Sequence, residues 1–164
     1  GGNVMYNIGE RFNISNNQGH KLIKTFNESA AMGFLPALRD AMYYVKRLHE
    51  EHGYVFRCIT SLSLDDNAGQ LRLMNLEKLF GKTAFEELVC LDTGADKDEA
   101  LAPYKDTGLY WIEDKLENAV VGHNLGLSAI LIEHGFNMHY TLPKGMTKVV
   151  NWKEIYNHIT GENI

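Results

Sequence analysis

The stretch YWIEDKLENAVVGHNLGLSAILI, residues 110–132, limits the fold of this chain more than any other. A short apolar run, Leu109-Tyr110-Trp111-Ile112, ends abruptly in two carboxylates, Glu113 and Asp114. Leu116, Ala119, Val120 and Leu125 then recur at a spacing that makes one apolar helix face. Gly126 stands where a helix C-cap is expected, and a second apolar run fills 128–132. Strand, acidic loop, helix, strand is a βαβ unit. It places the two acids at the carboxyl end of a buried strand, where open α/β sheets hold their ligands.

The same alternation begins at residue 35. Leu35, Leu38, Ala41 or Met42, Val45 and Leu48 repeat at helical spacing, with Pro36 in the first turn and Gly53 at the exit. A strand over 54–59 ends at Thr60-Ser61. A helix over 65–80 is started by Asp65-Asp66 and stopped by Gly81. Residues 88–91 read as a strand, and Asp96-Lys97-Asp98-Glu99 resembles the capping box of a short helix reaching about Tyr104. A strand at 148–150 and a helix from about Lys153 close the chain. Upstream of 35, VMYNI (4–8) is a candidate strand, and ISNNQGHK (14–21) is loop-like. The expected class is α/β: a three-layer α/β/α, Rossmann-like, mostly parallel sheet with helices on both faces.

At 164 residues, 45% of them hydrophobic, the chain has enough material for one domain with its own core. Its net charge of −5 argues against a nucleic-acid polymer as partner, though not against a small phosphorylated molecule, which needs only a local positive site. Cys58 and Cys90 lie inside apolar runs and read as reduced core thiols of a cytosolic protein. No run approaches the roughly 20 apolar residues of a membrane span, and no signal-peptide pattern is present. Gly1-Gly2 reads as a cloning scar or a truncated start.

Three polar positions recur after strands. Thr60 and Ser61 offer hydroxyls and backbone N–H groups that suit a phosphate; taken alone, an N-cap or turn is the better reading. Lys97 starts a helix, where a cation opposes the macrodipole, so a bound anion or a carboxylate neighbour is needed to account for it. The plainer reading is a solvated surface lysine. Glu113 and Asp114 repel each other at the mouth of a buried strand and call for a cation. Mg²⁺ takes such hard oxygen ligands together with phosphate and water. N-capping by Asp114 is the plainer alternative, but it leaves Glu113 unaccounted for.

Hydroxyl, lysine and acid pair, in that order, resemble the haloacid dehalogenase superfamily of phosphohydrolases over about residues 35–140. Thr60 in CITS matches that family's second motif, Lys97 in GADKDEAL its third, and Glu113-Asp114 in WIEDKLENA its fourth. The following GHNLGLSAILIEHGFN is similar to its closing glycine, apolar strand and Asn pattern. The CITS strand end is similar to the 5′(3′)-deoxyribonucleotidase-like branch, including phage-type relatives. The resemblance implies a Mg²⁺-dependent phosphomonoester hydrolase whose partner is a small phosphorylated substrate or inorganic phosphate. Lys105 is the other candidate for the third-motif lysine. Residues 10–34 would be a linker or the remnant of a cap.

The family's first motif departs from the pattern. It is a strand ending Asp-x-Asp, which carries the nucleophile and the acid/base, and no Asp-x-Asp occurs before Thr60. The nearest candidate, Val4-Met5-Tyr6-Asn7-Ile8-Gly9, has Asn7 and Gly9 where both acids belong; alternatively, the chain starts after the first strand. Neither version keeps the nucleophile, so impaired or absent turnover is expected. The competing expectation is a non-catalytic α/β domain that binds a phosphorylated ligand or a protein partner. A receiver-like binding module would need an acid at the end of the first strand. His134 and His139, flanking GFNM, are too few for a metal centre, and Asn137 fixes a loop or approaches a substrate. Tyr43-Tyr44, Trp111 and Trp152 read as core or sheet-edge packing.

Overall fold

The computed structural model describes residues 4–7, 22–27, 35–61, 66–91, 97–133 and 141–164. In chain order the strands are β1 (Val4–Asn7), β2 (Leu22–Asn27), β3 (Val55–Ser61), β4 (Phe85–Leu91), β5 (Tyr110–Glu113), β6 (Ser128–Ile132) and β7 (Thr147–Val149). The helices are α1 (Leu35–His52), α2 (Asp66–Phe80), α3 (Asp98–Leu101), α4 (Leu116–Asn124) and α5 (Trp152–Thr160), with a 3₁₀ turn at Ala102–Tyr104 after α3. The fold is mixed α/β, built on parallel strands.

The strands form one seven-stranded sheet in the order β1-β4-β3-β2-β5-β6-β7. Among the described strands only β1 runs antiparallel, pairing with β4 from Val4 opposite Cys90 to Asn7 opposite Glu87. The other pairings are parallel. From β2 the chain steps to β3 and then β4 on one side; β5, β6 and β7 extend on the other. The direction of winding therefore reverses between β2 and β5, and such a switch point opens a crevice at the carboxyl ends of its strands.

Alternation along the strands feeds two cores on opposite sheet faces. On one face Phe56, Cys58, Leu88, Ile112, Ile130 and Ile132 pack with Ala41, Val45 and Leu48 of α1, with Leu73 and Leu76 of α2, and with Trp152, Ile155 and Tyr156 of α5. On the other, Ile59, Leu91, Trp111 and Ala129 pack with Leu101 and Leu127. Two glycine exits expected from the sequence are in place: Gly53 (φ 74°) closes α1 and Gly126 (φ 86°) follows α4. Helix α5 is capped by Asn151, whose side chain accepts from Glu154 N at 2.9 Å, while Asp40 of α1 accepts from Trp152 N.

Five expectations need correction. β4 begins at Phe85 rather than 88, so Glu86 and Glu87 lie inside a buried strand. They are tolerated because Arg57 on β3 pairs with Glu86 and reaches Glu87 at 3.8 Å. The second concerns the capping box: the residue before α3 is Lys97 itself, and its side chain makes no cap bond. Third, Leu22–Asn27 is not linker but the strand between β3 and β5, at the centre of the sheet. Fourth, Asn7 ends the antiparallel edge strand and does not occupy that central position. Tyr43, expected to pack, is 56% exposed. The loop-like 14–21, His134, Asn137 and His139 lie outside the described residues.

Candidate functional site

The register places the sequence-derived candidates along one edge. Ile59 of β3 lies opposite Asn27 of β2, and Phe26 of β2 lies opposite Ile112 of β5. Thr60 therefore sits one residue beyond the row of Asn27, and Glu113 one beyond Ile112. All three close parallel strands at the carboxyl edge, Thr60 and Glu113 flanking β2 at a separation of about two strand spacings, ~10 Å. Ser61 ends β3 beside them. By alternation Thr60, 4% exposed, belongs with Phe56 and Cys58.

Lys97 and Glu113 meet directly. Lys97 Nζ donates to Glu113 Oε2 at 3.1 Å, and the two residues are 3% and 0% exposed. Sixteen residues separate them in sequence, and each supplies what the other lacked: Lys97 is the cation that the acid called for, and Glu113 the carboxylate that explains a lysine at a helix start. A solvated surface lysine is excluded by this burial. The second oxygen of Glu113 has a separate task. Oε1 accepts from the backbone N–H groups of Asp114 and Lys115, both at 3.0 Å. The turn into α4 is thus tied down by Glu113, whereas the N-cap residue, Lys115, makes no side-chain cap bond. Asp114 is half-buried beside it.

Trp111, two residues earlier on β5, holds Lys97 from below: Nζ lies 5.6 Å from the centroid of its ring. The ring is fixed in turn by α4, with Nε1 donating to Asn118 O at 3.0 Å. Gly122 lets the helix come this close, since a Cβ there would fall 2.2 Å from Trp111 Cδ1. Lys105 is exposed in the turn after the 3₁₀ segment.

A second polar group lies on β3 and β4. Arg57 donates to Glu86 and, through an Nη1 at 2.7 Å, to Tyr104 O–H. Burial pulls the Arg57 pKa down, but the bonds to Tyr104 and Glu86 outweigh it and leave the guanidinium held above its ordinary value. Burial raises the Tyr104 phenol, and Arg57 partly offsets that rise. These groups satisfy one another and hold the strands together.

As Mg²⁺ ligands, Glu113 and Asp114 have the right chemistry: two adjacent hard carboxylates at a strand mouth. Glu113 is already neutralised by Lys97, so it reaches a metal only by giving up that partner. Among the described residues no three His, Cys, Asp or Glu side chains gather as a metal centre. The sequence reading missed two contributors, β2 and Trp111. The β-branched and aromatic content of LIKTFN was the available signal for the strand. The Trp111 contact depends on two segments meeting, which no local pattern announces.

No family model matches the chain. It is 26% identical, over 157 residues, to a protein of Enterobacteria phage T4 described as an uncharacterized 32.4 kDa protein in the Gp30-rIII intergenic region. That likeness covers 92% of this chain and 54% of the T4 protein, so the chain spans about half the length of this relative. No helix of the described residues is long and apolar enough to cross a membrane.

Proposed function

We propose that this chain is a three-layer α/β/α, Rossmann-like scaffold of the haloacid dehalogenase kind, built to bind a phosphate monoester with Mg²⁺ and impaired in hydrolysis. One observation carries the reading: Thr60 and Glu113-Asp114 close the strands on either side of β2, with Lys97 against Glu113 at the winding reversal. In this reading Thr60 and Ser61 donate to phosphoryl oxygens, and Lys97 neutralises them. Glu113 and Asp114 hold Mg²⁺, which when bound neutralises phosphoryl charge. The substrate is a small phosphorylated molecule, nucleotidase-like in kind. β2, the strand at the centre of the site, contains no Asp and ends at Asn27. An amide is a poor nucleophile, which favours impaired chemistry and keeps a non-catalytic phosphate-binding domain as the second reading.

Calorimetric titration with inorganic phosphate or vanadate, in the presence of Mg²⁺, tests the binding site. Lys97→Ala should weaken binding while Lys105→Ala leaves it unchanged. The reverse result would move the lysine role to Lys105 and remove the support that the Lys97–Glu113 geometry lends. Hydrolysis of p-nitrophenyl phosphate or deoxynucleoside monophosphates should be negligible with or without Mg²⁺. Robust turnover abolished by Asp114→Asn would show that another Asp serves as nucleophile.

A further inference from the structure

We propose that β2 is a replaceable strand, and that its slot between β3 and β5 is a docking site for a second polypeptide, which enters as a parallel strand of consecutive apolar residues. The slot and the strand that fills it are poorly matched. Phe56 and Cys58 of β3 and Ile112 of β5 flank it on one sheet face, and Ile59 and Trp111 on the other, all buried. A parallel strand covered on both faces is ordinarily a continuous apolar run. SAILI of β6 comes close to one, whereas LIKTFN of β2 is interrupted by Lys24 and Thr25. A lysine in that position gives up hydration that a valine never had.

The backbone pairing agrees. β6 meets β5 at every position from Tyr110 to Glu113, while β2 meets it at Thr25 opposite Trp111 and Phe26 opposite Ile112. Toward β3 the register shifts: Ile23 lies opposite Phe56 but Phe26 opposite Cys58, so β2 spends an extra residue and the ladder is locally broken. The slot does not depend on β2 to hold its shape. α1 and α5 also join the two halves of the sheet, where Asp40 accepts from Trp152 N and His52 meets the Tyr156 hydroxyl. Lys97 and Glu113 likewise tie the segment after β4 to the end of β5. An added strand takes its affinity from main-chain hydrogen bonds and its selectivity from the positions its alternate side chains fill. Those positions are apolar on both faces here, so the partner strand carries uncharged aliphatic residues over about five or six positions. A second copy of this chain is the wrong occupant. Its β2 brings the same Lys24, and a net charge of −5 on each copy opposes their approach.

The probe is a fluorescein-labelled peptide of residues 20–29 carrying Lys24→Val and Thr25→Val, compared with the unsubstituted peptide. Amide hydrogen exchange on the free chain should find 22–27 exchanging at least about tenfold faster than β3 and β6, although central strands are ordinarily among the last to open. In fluorescence anisotropy the substituted peptide should bind at least about fivefold tighter than the unsubstituted one, the gain of an uncharged strand. Once it is bound, 22–27 should lose its remaining protection, while β1 and β7, the outer strands of the described sheet, keep theirs. Lys24→Val in the chain itself should protect 22–27 and weaken peptide binding at least about fivefold, because the slot is then open for a smaller fraction of the time. Thr25→Val carries the same arm if Lys24→Val fails to fold. A β2 as well protected as β3, or no peptide binding, would overturn the proposal. So would peptide binding that leaves 22–27 unchanged, which means addition at an outer strand. Equal binding of the two peptides, or dimers of the chain alone at the concentrations used, would give the slot to a second copy and overturn the partner proposed here.

Discussion

Lys97 Nζ and Glu113 Oε2 lie 3.1 Å apart, joining the start of a four-residue helix to the end of a buried strand. With the residues 3% and 0% exposed, solvent contributes little to neutralising either charge. Removing one partner is therefore more harmful than removing both. Lys97→Met should cost about 3–5 kcal/mol, since it leaves Glu113 charged and buried. Adding Glu113→Gln should recover most of that loss, because the glutamine carbonyl can still accept from Asp114 N and Lys115 N. Urea denaturation of both single variants and the double variant measures the coupling. Additive losses would mean that the pair is not held as described.

Gly122 tests the packing behind that pair. In an ordinary helix interior, Gly to Ala is favourable by about 1 kcal/mol. Here the new Cβ would fall 2.2 Å from Trp111 Cδ1, against a ring that is also hydrogen-bonded to Asn118 O. The helix must back away or the ring must turn, and overpacking of this kind costs about 1–3 kcal/mol. Gly122→Ala should therefore lower the melting temperature and change the near-ultraviolet tryptophan signal. An unchanged or raised melting temperature would show that α4 has room to shift.

The parts of this fold that follow local rules were legible. The βαβ unit at 110–132 was marked by apolar runs, helical spacing and Gly126, and its strands pair in parallel as that pattern demands. Glu86 and Glu87 hid the first half of β4, because a strand argument made from one segment cannot see Arg57 on its neighbour. β2 was missed for a related reason: a six-residue strand with a lysine in it announces itself only once β3 and β5 are known to flank it. At the site, residue chemistry identified Lys97 and Glu113 separately. Their pairing needed the tertiary fold, since the two stand sixteen positions apart with a helix–strand step between them.

The two cysteines should stay reduced under oxidising conditions. Cys58 lies opposite Leu88, and Thr60 opposite Cys90, so the sulfurs belong to adjacent strands two rows apart. Diagonal neighbours in a sheet are about 7–8 Å apart at Cα. That exceeds the roughly 7 Å beyond which a disulfide requires backbone movement. Both are buried as well. Treating the folded chain with diamide and counting thiols after denaturation should return both cysteines. Loss of both thiols with only the mass decrease of two hydrogens that an internal disulfide brings would show that β3 and β4 slide past each other in solution.

Tyr156 should make stability fall on the alkaline side. It is fully buried on α5, its hydroxyl lies 2.8 Å from His52 Nε2, and Arg47 stacks over its ring at 4.6 Å. Burial first, and then a hydrogen bond with Glu162, push its pKa up to about 12; Arg47 opposes the rise, while Glu51 adds to it. The sign follows from proton counting. Between its ordinary value near 10 and about 12, the folded chain keeps the phenolic proton while the unfolded chain releases it. The folded state then binds more protons, so stability is complete below pH 10 and declines as the pH rises through that window. Tyr44, Tyr54 and Tyr104 are raised as well, so the whole decline does not belong to Tyr156. Tyr156→Phe isolates its share. At pH 8 the variant should be less stable by about 0.5–1.5 kcal/mol, the net worth of the lost hydrogen bond. Above pH 10 the wild type should lose stability faster than the variant, so the gap between their melting temperatures should narrow. Melts of both proteins at intervals from pH 8 to about 11.5 measure this, and a gap that stays constant across the series would mean that the Tyr156 phenol titrates alike in the folded and unfolded chain.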